Sequence, residues 1–257
     1  MKAVILAGGL GTRISEESHL RPKPMIEIGG KPLLWHILKG YGVHGINEFV
    51  VCAGYKGHML KEYFASYFMQ HSDVTFELAD NRMTTHRSHV EPWTVTVVDT
   101  GEGTMTGGRL KRARDYIGDE TFCMTYGDCL AAIDVTALID FHRSAGVSVT
   151  LTAIQPPGRF GALILSPESE RIDRFHEKPE GDGGWVNGGF FVIEPPALDY
   201  VAGDDIVWEL EPLETLSSEG KVAAYRHRGY WQNMDSLRDK MVLEEQWASG
   251  APGWKVW

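Results

Sequence analysis

The chain opens on a short apolar run, residues 2–7, that ends abruptly in Gly8-Gly9-Leu10-Gly11. A continuous apolar run stopped by glycines suits a strand buried on both faces of a parallel sheet. Glycines directly after such a strand let backbone N–H groups approach a phosphate with no Cβ in the way. Two familiar phosphate loops are excluded. A Walker loop needs Gly-Lys followed by Ser or Thr, and the Gly-Lys pairs here are followed by Pro32 and Val222. A dinucleotide fingerprint needs a third glycine where this chain has Ile14.

The alternation continues downstream. Pro32 can open a helix over 33–41, since its missing N–H is harmless in a first turn. Residues 47–53 read as a second buried strand, 57–68 as a helix, and 74–78 and 93–98 as alternating strands. A short helix over 109–117, a strand over 121–126 and a helix over 135–144 follow. This order predicts a mostly parallel α/β sheet with helices on both faces. The second half is richer in strands, at 148–154, 162–166, 171–176 and 185–193. Ser236 and Asp239 form a capping-box pattern that opens a last helix to about residue 247. No linker or repeat divides the chain. The expectation is one domain, residues 1–257, in two lobes of about 1–130 and about 131–257, the second smaller and strand-rich.

The formal net charge of -10 argues against a general nucleic-acid binder, so phosphate chemistry here must rely on a few local cations. Three cysteines without a C-x-x-C pair fit a reducing, cytoplasmic compartment better than a disulfide framework. The opening apolar run is too short for a signal segment, and no stretch reaches transmembrane length, so no membrane association is expected.

Leu6-Ala7-Gly8-Gly9-Leu10-Gly11-Thr12-Arg13, with Pro22-Lys23-Pro24 behind it, resembles the signature of the sugar-1-phosphate nucleotidyltransferases. Tyr126-Gly127-Asp128, Glu177-Lys178-Pro179, Val186-Asn187-Gly188-Gly189-Phe190 and Trp231-Gln232-Asn233-Met234-Asp235 match the same family in order. The resemblance covers nearly the whole chain and implies a Rossmann-like nucleotidyltransferase fold. Residues 105–112, Pro156-Pro157-Gly158-Arg159-Phe160-Gly161 and Val90-Glu91-Pro92-Trp93 resemble the glucose-1-phosphate cytidylyltransferase branch. That branch implies CTP and α-D-glucose 1-phosphate as substrates, CDP-glucose and pyrophosphate as products, and a place on the route to dideoxy sugars of surface polysaccharide.

The resemblance also implies roles. Leu6, Ala7, Gly8, Gly9, Gly11, Thr12 and Arg13 would hold the nucleotide, with Arg13 on the leaving pyrophosphate. Lys23 would neutralise the α-phosphate, and Thr104 and Arg109 would line the base pocket. Glu177, Asn187 and Gly188 would meet the sugar, and Lys178 its phosphate. Asp128 and Asp235 would hold Mg2+, which favours carboxylate and phosphate oxygens. From spacing alone, Asp128 reads as a turn aspartate, Asp235 as an N-cap, and the basic run of Arg109, Lys111, Arg112 and Arg114 as a solvated helix face; the metal reading comes with the resemblance.

His86 and His89 lack a third ligand at zinc spacing and read as solvated loop residues. Trp247, Trp254 and Trp257 pack either on their own core or at a subunit interface. Relatives in the family are generally homo-oligomers, which favours the interface. Cys129 stands where the related cytidylyltransferases have glycine, which adds a side chain beside the proposed metal site. The alternatives are a thymidylyl-, uridylyl- or guanylyltransferase of the same family, and a non-catalytic binding homologue. A glycosyltransferase would carry Asp-x-Asp, which this chain lacks.

Overall fold

The computed structural model describes residues 1–11, 14, 17, 19–156, 162–165, 172–176 and 184–257. The central sheet uses β1 (Ala3–Leu6), β2 (Glu48–Ala53), β3 (Thr94–Asp99), β4 (Phe122–Tyr126), β5 (Val149–Ile154), β6 (Val186–Asn187), β7 (Phe191–Ile193) and β8 (Val222–Arg226). The helices are α1 (Leu33–Gly42), α2 (Gly57–Gln70), α3 (Thr106–Ile117), α4 (Val135–Ala145), α5 (Glu211–Ser218) and α6 (Leu237–Ala248).

β1 explains the architecture. All four of its residues are buried. Its neighbours β2 and β4 both run parallel to it. Successive side chains alternate between faces. Ala3 and Ile5 therefore join one core, with Leu34, Leu38 and Leu138 from α1 and α4. Val4 and Leu6 join the other, with Leu110, Ala113 and Leu216 from α3 and α5. A strand apolar at every position is what a sheet with helices on both faces requires.

β3 extends the parallel set beyond β2. On the other side β7 pairs antiparallel with β4, and β5 pairs antiparallel with β7 and parallel with β8. The sheet is thus mixed but mostly parallel, and it uses strands from both halves of the chain.

Several expectations are corrected. The strand read over 185–193 is interrupted between β6 and β7, where Gly189 and Phe190 take positive φ of 75° and 44°. Both pieces pair with β5, so the glycine pair kinks one strand without ending its pairing. Helix α3 starts at Thr106, ahead of the expected residue 109. A hairpin partner, Arg82–Ser88, faces Ser72–Glu77, so His86 lies in a strand and not a loop, its ring 2.9 Å from the Thr75 hydroxyl. α5 and β8 were not expected. The capping box at Ser236 and Asp239 is present as read, which leaves Asp235 outside the cap position.

The aromatic tail packs on its own chain. Trp254 is fully buried and stacks on Trp247, and Trp257 meets Trp35 edge-on. Gly29 makes room for this, since a Cβ there would sit 2.0 Å from the Trp247 indole nitrogen. No helix among the described residues is long and apolar enough to cross a membrane.

Candidate active site

The carboxyl ends of β1 and β4 open into a cleft of about 600 Å³. In open α/β sheets, ligands gather at this edge. The loop after β1 is clamped through its backbone. Ala7 N–H donates to the Cys52 carbonyl at 3.0 Å, Gly127 N–H to Leu6 at 3.0 Å, and Tyr55 N–H to Gly8 at 3.3 Å. A Cβ on Gly8 would lie 2.1 Å from the Arg109 guanidinium, whereas one on Gly9 would meet nothing. The loop is therefore tight on its protein side and bare on its open side, as a phosphate cradle must be. Leu6, Ala7, Gly8, Gly9 and Gly11 all line the cleft. Thr12, Arg13, Glu177 and Lys178 lie outside the described residues.

Arg109 reaches the cleft wall but spends its donors on the protein. It is buried, and it donates to the Thr100 hydroxyl (2.7 Å) and to the carbonyls of Gly101 (2.7 Å), Gly8 (2.9 Å) and Glu102 (3.2 Å). Burial pulls its pKa down, with partial compensation from nearby groups. With a further bond to the Ala53 carbonyl at 3.4 Å, its geometry is that of a hub tying together the chain segments that leave β1, β2 and β3. Thr104 is buried close by and lines the same wall.

The deepest polar contact joins three distant motifs. Lys23 Nζ lies 2.9 Å from Asp128 Oδ2 and 2.5 Å from Asp235 Oδ1. Lys23 sits in a short 3-10 turn, Lys23–Met25, entered from Pro22. The Pro24 ring occupies the place a Cβ on Gly127 would need, 2.8 Å away, so the two motifs interlock. Met234 N–H donates to the Asp128 carbonyl at 2.8 Å, and Trp231–Asn233 pairs antiparallel with Cys129–Ala131. This brings Asp235 to Asp128. Asn233 Nδ2 holds the other Asp235 oxygen at 2.6 Å.

This cluster of one ammonium and two carboxylates sums to a single negative charge. It cannot by itself neutralise a bound phosphate. The carboxylates already converge on one cation, and their all-oxygen donor set fits a hard divalent ion completed by phosphate oxygens. Cys129 is buried with the core and also borders the cleft beside Asp128, and burial pushes its thiol pKa well above the usual range.

Asn187 and Gly188 form the opposite wall. Trp231 Nε1 donates to the Gly188 carbonyl at 2.8 Å. Tyr126, Thr106 and Glu209 also line the cleft, and sequence reasoning gave them no role. Tyr126 and Trp231 stand inside recognised motifs, which was a usable signal. Glu209 had none.

A glycine cradle, a buried lysine and a carboxylate pair, gathered at the carboxyl edge of a parallel sheet, define the class as nucleotidyl transfer. The Nucleotidyl transferase family profile matches residues 2–234, and the chain belongs to that family. It is 57% identical over 258 residues to the glucose-1-phosphate cytidylyltransferase of Salmonella typhi, covering 100% of both chains. A Bacillus subtilis (strain 168) protein, named as a probable glucose-1-phosphate cytidylyltransferase, is 43% identical over 258 residues, again with 100% of both covered. The fold is similar to that of HddC from Yersinia pseudotuberculosis, with TM-score 0.69, 22% identity, and 96% and 99% of the two chains covered.

Proposed function

We propose that this chain transfers the cytidylyl group of CTP to α-D-glucose 1-phosphate, giving CDP-glucose and pyrophosphate. The observation that carries the reading is its full-length 57% identity to the Salmonella typhi glucose-1-phosphate cytidylyltransferase. A phosphate oxygen of the sugar phosphate attacks the α-phosphorus in line. The bond from that phosphorus to the bridging oxygen breaks, and the electron pair leaves with pyrophosphate.

The obstacle is charge. Two like charges at about 4 Å repel by roughly 4 kcal/mol at an effective dielectric near 20. Catalysis then consists of positioning and neutralisation. Backbone N–H groups from Gly8 to Gly11, with Thr12 and Arg13, receive the β- and γ-phosphates. Lys23 turns from the carboxylates to the α-phosphate. Lys178 takes the phosphate of the sugar. Thr104 borders the base, and Glu177, Asn187 and Gly188 border the glucose. Asp128 and Asp235 would hold Mg2+, which would supply positive charge to the phosphate oxygens.

We read residues 1–257 as one domain, with the nucleotide lobe in about 1–130 and the sugar-phosphate lobe in about 131–257. The three cysteines are free and buried, which favours a reducing, cytoplasmic setting. We assign the product to the supply of dideoxy sugars for surface polysaccharide. A homo-oligomer is the expected assembly, and the projecting Ser72–Glu77 and Arg82–Ser88 hairpin, with Phe76 and Leu78 exposed, offers it a surface. Light scattering tests this, and a monomeric mass refutes it. The activity itself is tested by pyrophosphate release with the common triphosphates crossed against several sugar 1-phosphates, with and without magnesium.

A further inference from the structure

Glu209 places a carboxylate in a cleft built for two phosphate-bearing substrates. The loop that carries it is docked on the first turn of α3. Met105 N–H donates to the Asp204 carbonyl at 2.8 Å and Gly107 N–H to Ile206 at 3.0 Å, while Arg112 Nε bonds Asp204 Oδ1 at 2.8 Å. Gly107 and Gly108 permit this approach, since a Cβ on Gly108 would lie 2.5 Å from the Asp204 carbonyl oxygen. Trp208, fully buried, anchors the loop, and its backbone N–H donates to the Thr106 hydroxyl oxygen at 2.9 Å. The next residue, Glu209, is thereby aimed into the cleft.

Its two oxygens accept hydroxyl hydrogens, one from Thr106 at 2.7 Å and one from Tyr126. Among the described residues no cation pairs with it. A carboxylate so placed repels phosphate. Its complement is a neutral hydrogen-bond donor, and a carboxylate retains acceptor capacity after two such bonds. Tyr126 sets the direction. Asn187 Nδ2 lies 3.4 Å from its hydroxyl, Gly189 packs against its ring, and Phe191 meets it edge-on. One carboxylate oxygen thus meets the Tyr126 hydroxyl, which borders the Asn187–Gly188 wall, and the other meets Thr106 on the first turn of α3.

We propose that Glu209, oriented by Tyr126 and Thr106, accepts a hydrogen bond from a hydroxyl of the sugar 1-phosphate and determines which sugar the enzyme takes. This rests on the sugar-phosphate side of the function proposed above. The glutamate reads the sugar, and Tyr126 and Thr106 are positioning residues.

The test is Glu209→Gln, assayed with glucose 1-phosphate and its 2-, 3-, 4- and 6-deoxy analogues. Loss of a charge-assisted hydrogen bond predicts a rise of about ten- to a hundredfold in KM for the sugar phosphate. KM for CTP stays within about twofold, because only one substrate loses a contact. The penalty disappears with the one analogue that lacks the contacted hydroxyl. An unchanged sugar KM, an equal rise for CTP, or the same penalty with every analogue overturns the proposal. If the glutamine variant does not fold, Tyr126→Phe serves. It is expected to give a smaller rise confined to the sugar KM, and no change overturns the proposal. The assay uses whichever triphosphate and sugar 1-phosphate the parent turns over best. A parent that prefers another pair therefore overturns the CTP and glucose reading without deciding the role of Glu209.

Discussion

Arg109→Met separates a nucleotide-binding arginine from one that builds the loops. Methionine keeps the unbranched apolar stem of the side chain and removes every donor. Gly8 O would retain Tyr55 N–H at 3.3 Å, and Ala53 O would retain Thr100 N–H at 2.8 Å. Gly101 O and Glu102 O would each lose their only partner among the described residues. Orphaning a buried acceptor costs about 1–3 kcal/mol. Gly101 is half-buried and Glu102 exposed, so the second carbonyl can turn to water and the expected destabilisation is about 1–3 kcal/mol. For a chain of this size that is a fall in Tm of roughly 2–12 °C. The assay is a thermal melt with KM for CTP measured alongside. The hub account predicts a lower Tm together with weakened CTP binding, because the Gly8 cradle loosens. A variant that melts within a degree of the parent but binds CTP poorly would refute it and restore Arg109 as a direct nucleotide contact.

Asp128→Asn and Asp235→Asn should each lower turnover by about 10²–10³, by analogy with the loss of one preorganised electrostatic group, and steady-state kinetics within a few-fold of the parent would dismiss the carboxylate pair. His36 is buried, donating Nε2–H to the Ile28 carbonyl (2.9 Å), and burial lowers its pKa from 6.5 to about 4. The unfolded chain binds this proton first, so stability is complete above pH 6.5 and falls as pH drops toward 4, by about 3 kcal/mol at most. Denaturant midpoints should show that slope in the parent and a weaker one in His36→Gln; equal slopes would discount the histidine. Trp254→Ala should cost about 3–5 kcal/mol if the tail is part of the core, and a melt unchanged from the parent would detach it. All three cysteines are buried, and burial pushes the Cys52 and Cys123 thiols up to about 12. A thiol reagent should therefore label the native enzyme only as fast as it unfolds, and rapid stoichiometric labelling would contradict this.

The layers of this fold were legible because they rest on apolar patterning. β1, β2 and β4 are continuous buried runs, and each ends in a glycine or Gly-Asp turn that marks the ligand edge. The elements that were not legible lack that contrast. Arg82–Ser88 is exposed at every position, and α5 carries Pro212 and two serines within eight residues. The site divides in the same way. Lys23, Asp128 and Asp235 were readable as motifs, but not their convergence, since Lys23 finds its partners 105 and 212 residues away. Gly107 and Gly108 precede Arg109, which the family resemblance assigns to the base pocket. The glycines admit the Asp204–Glu209 loop, and the arginine instead turns inward to Gly8 and Gly101. No local pattern encodes such contacts, because each depends on loops that only the sheet topology brings together.

The central claim is that the cleft at the ends of β1 and β4 makes a nucleotide sugar from CTP and glucose 1-phosphate. Pyrophosphate release, measured for CTP, UTP, dTTP and GTP with glucose 1-phosphate and magnesium, tests it most directly. The account predicts the highest kcat/KM with CTP, with CDP-glucose as the product and activity lost in Asp128→Asn. A higher kcat/KM with another triphosphate, or release that persists unchanged in Asp128→Asn, would contradict it.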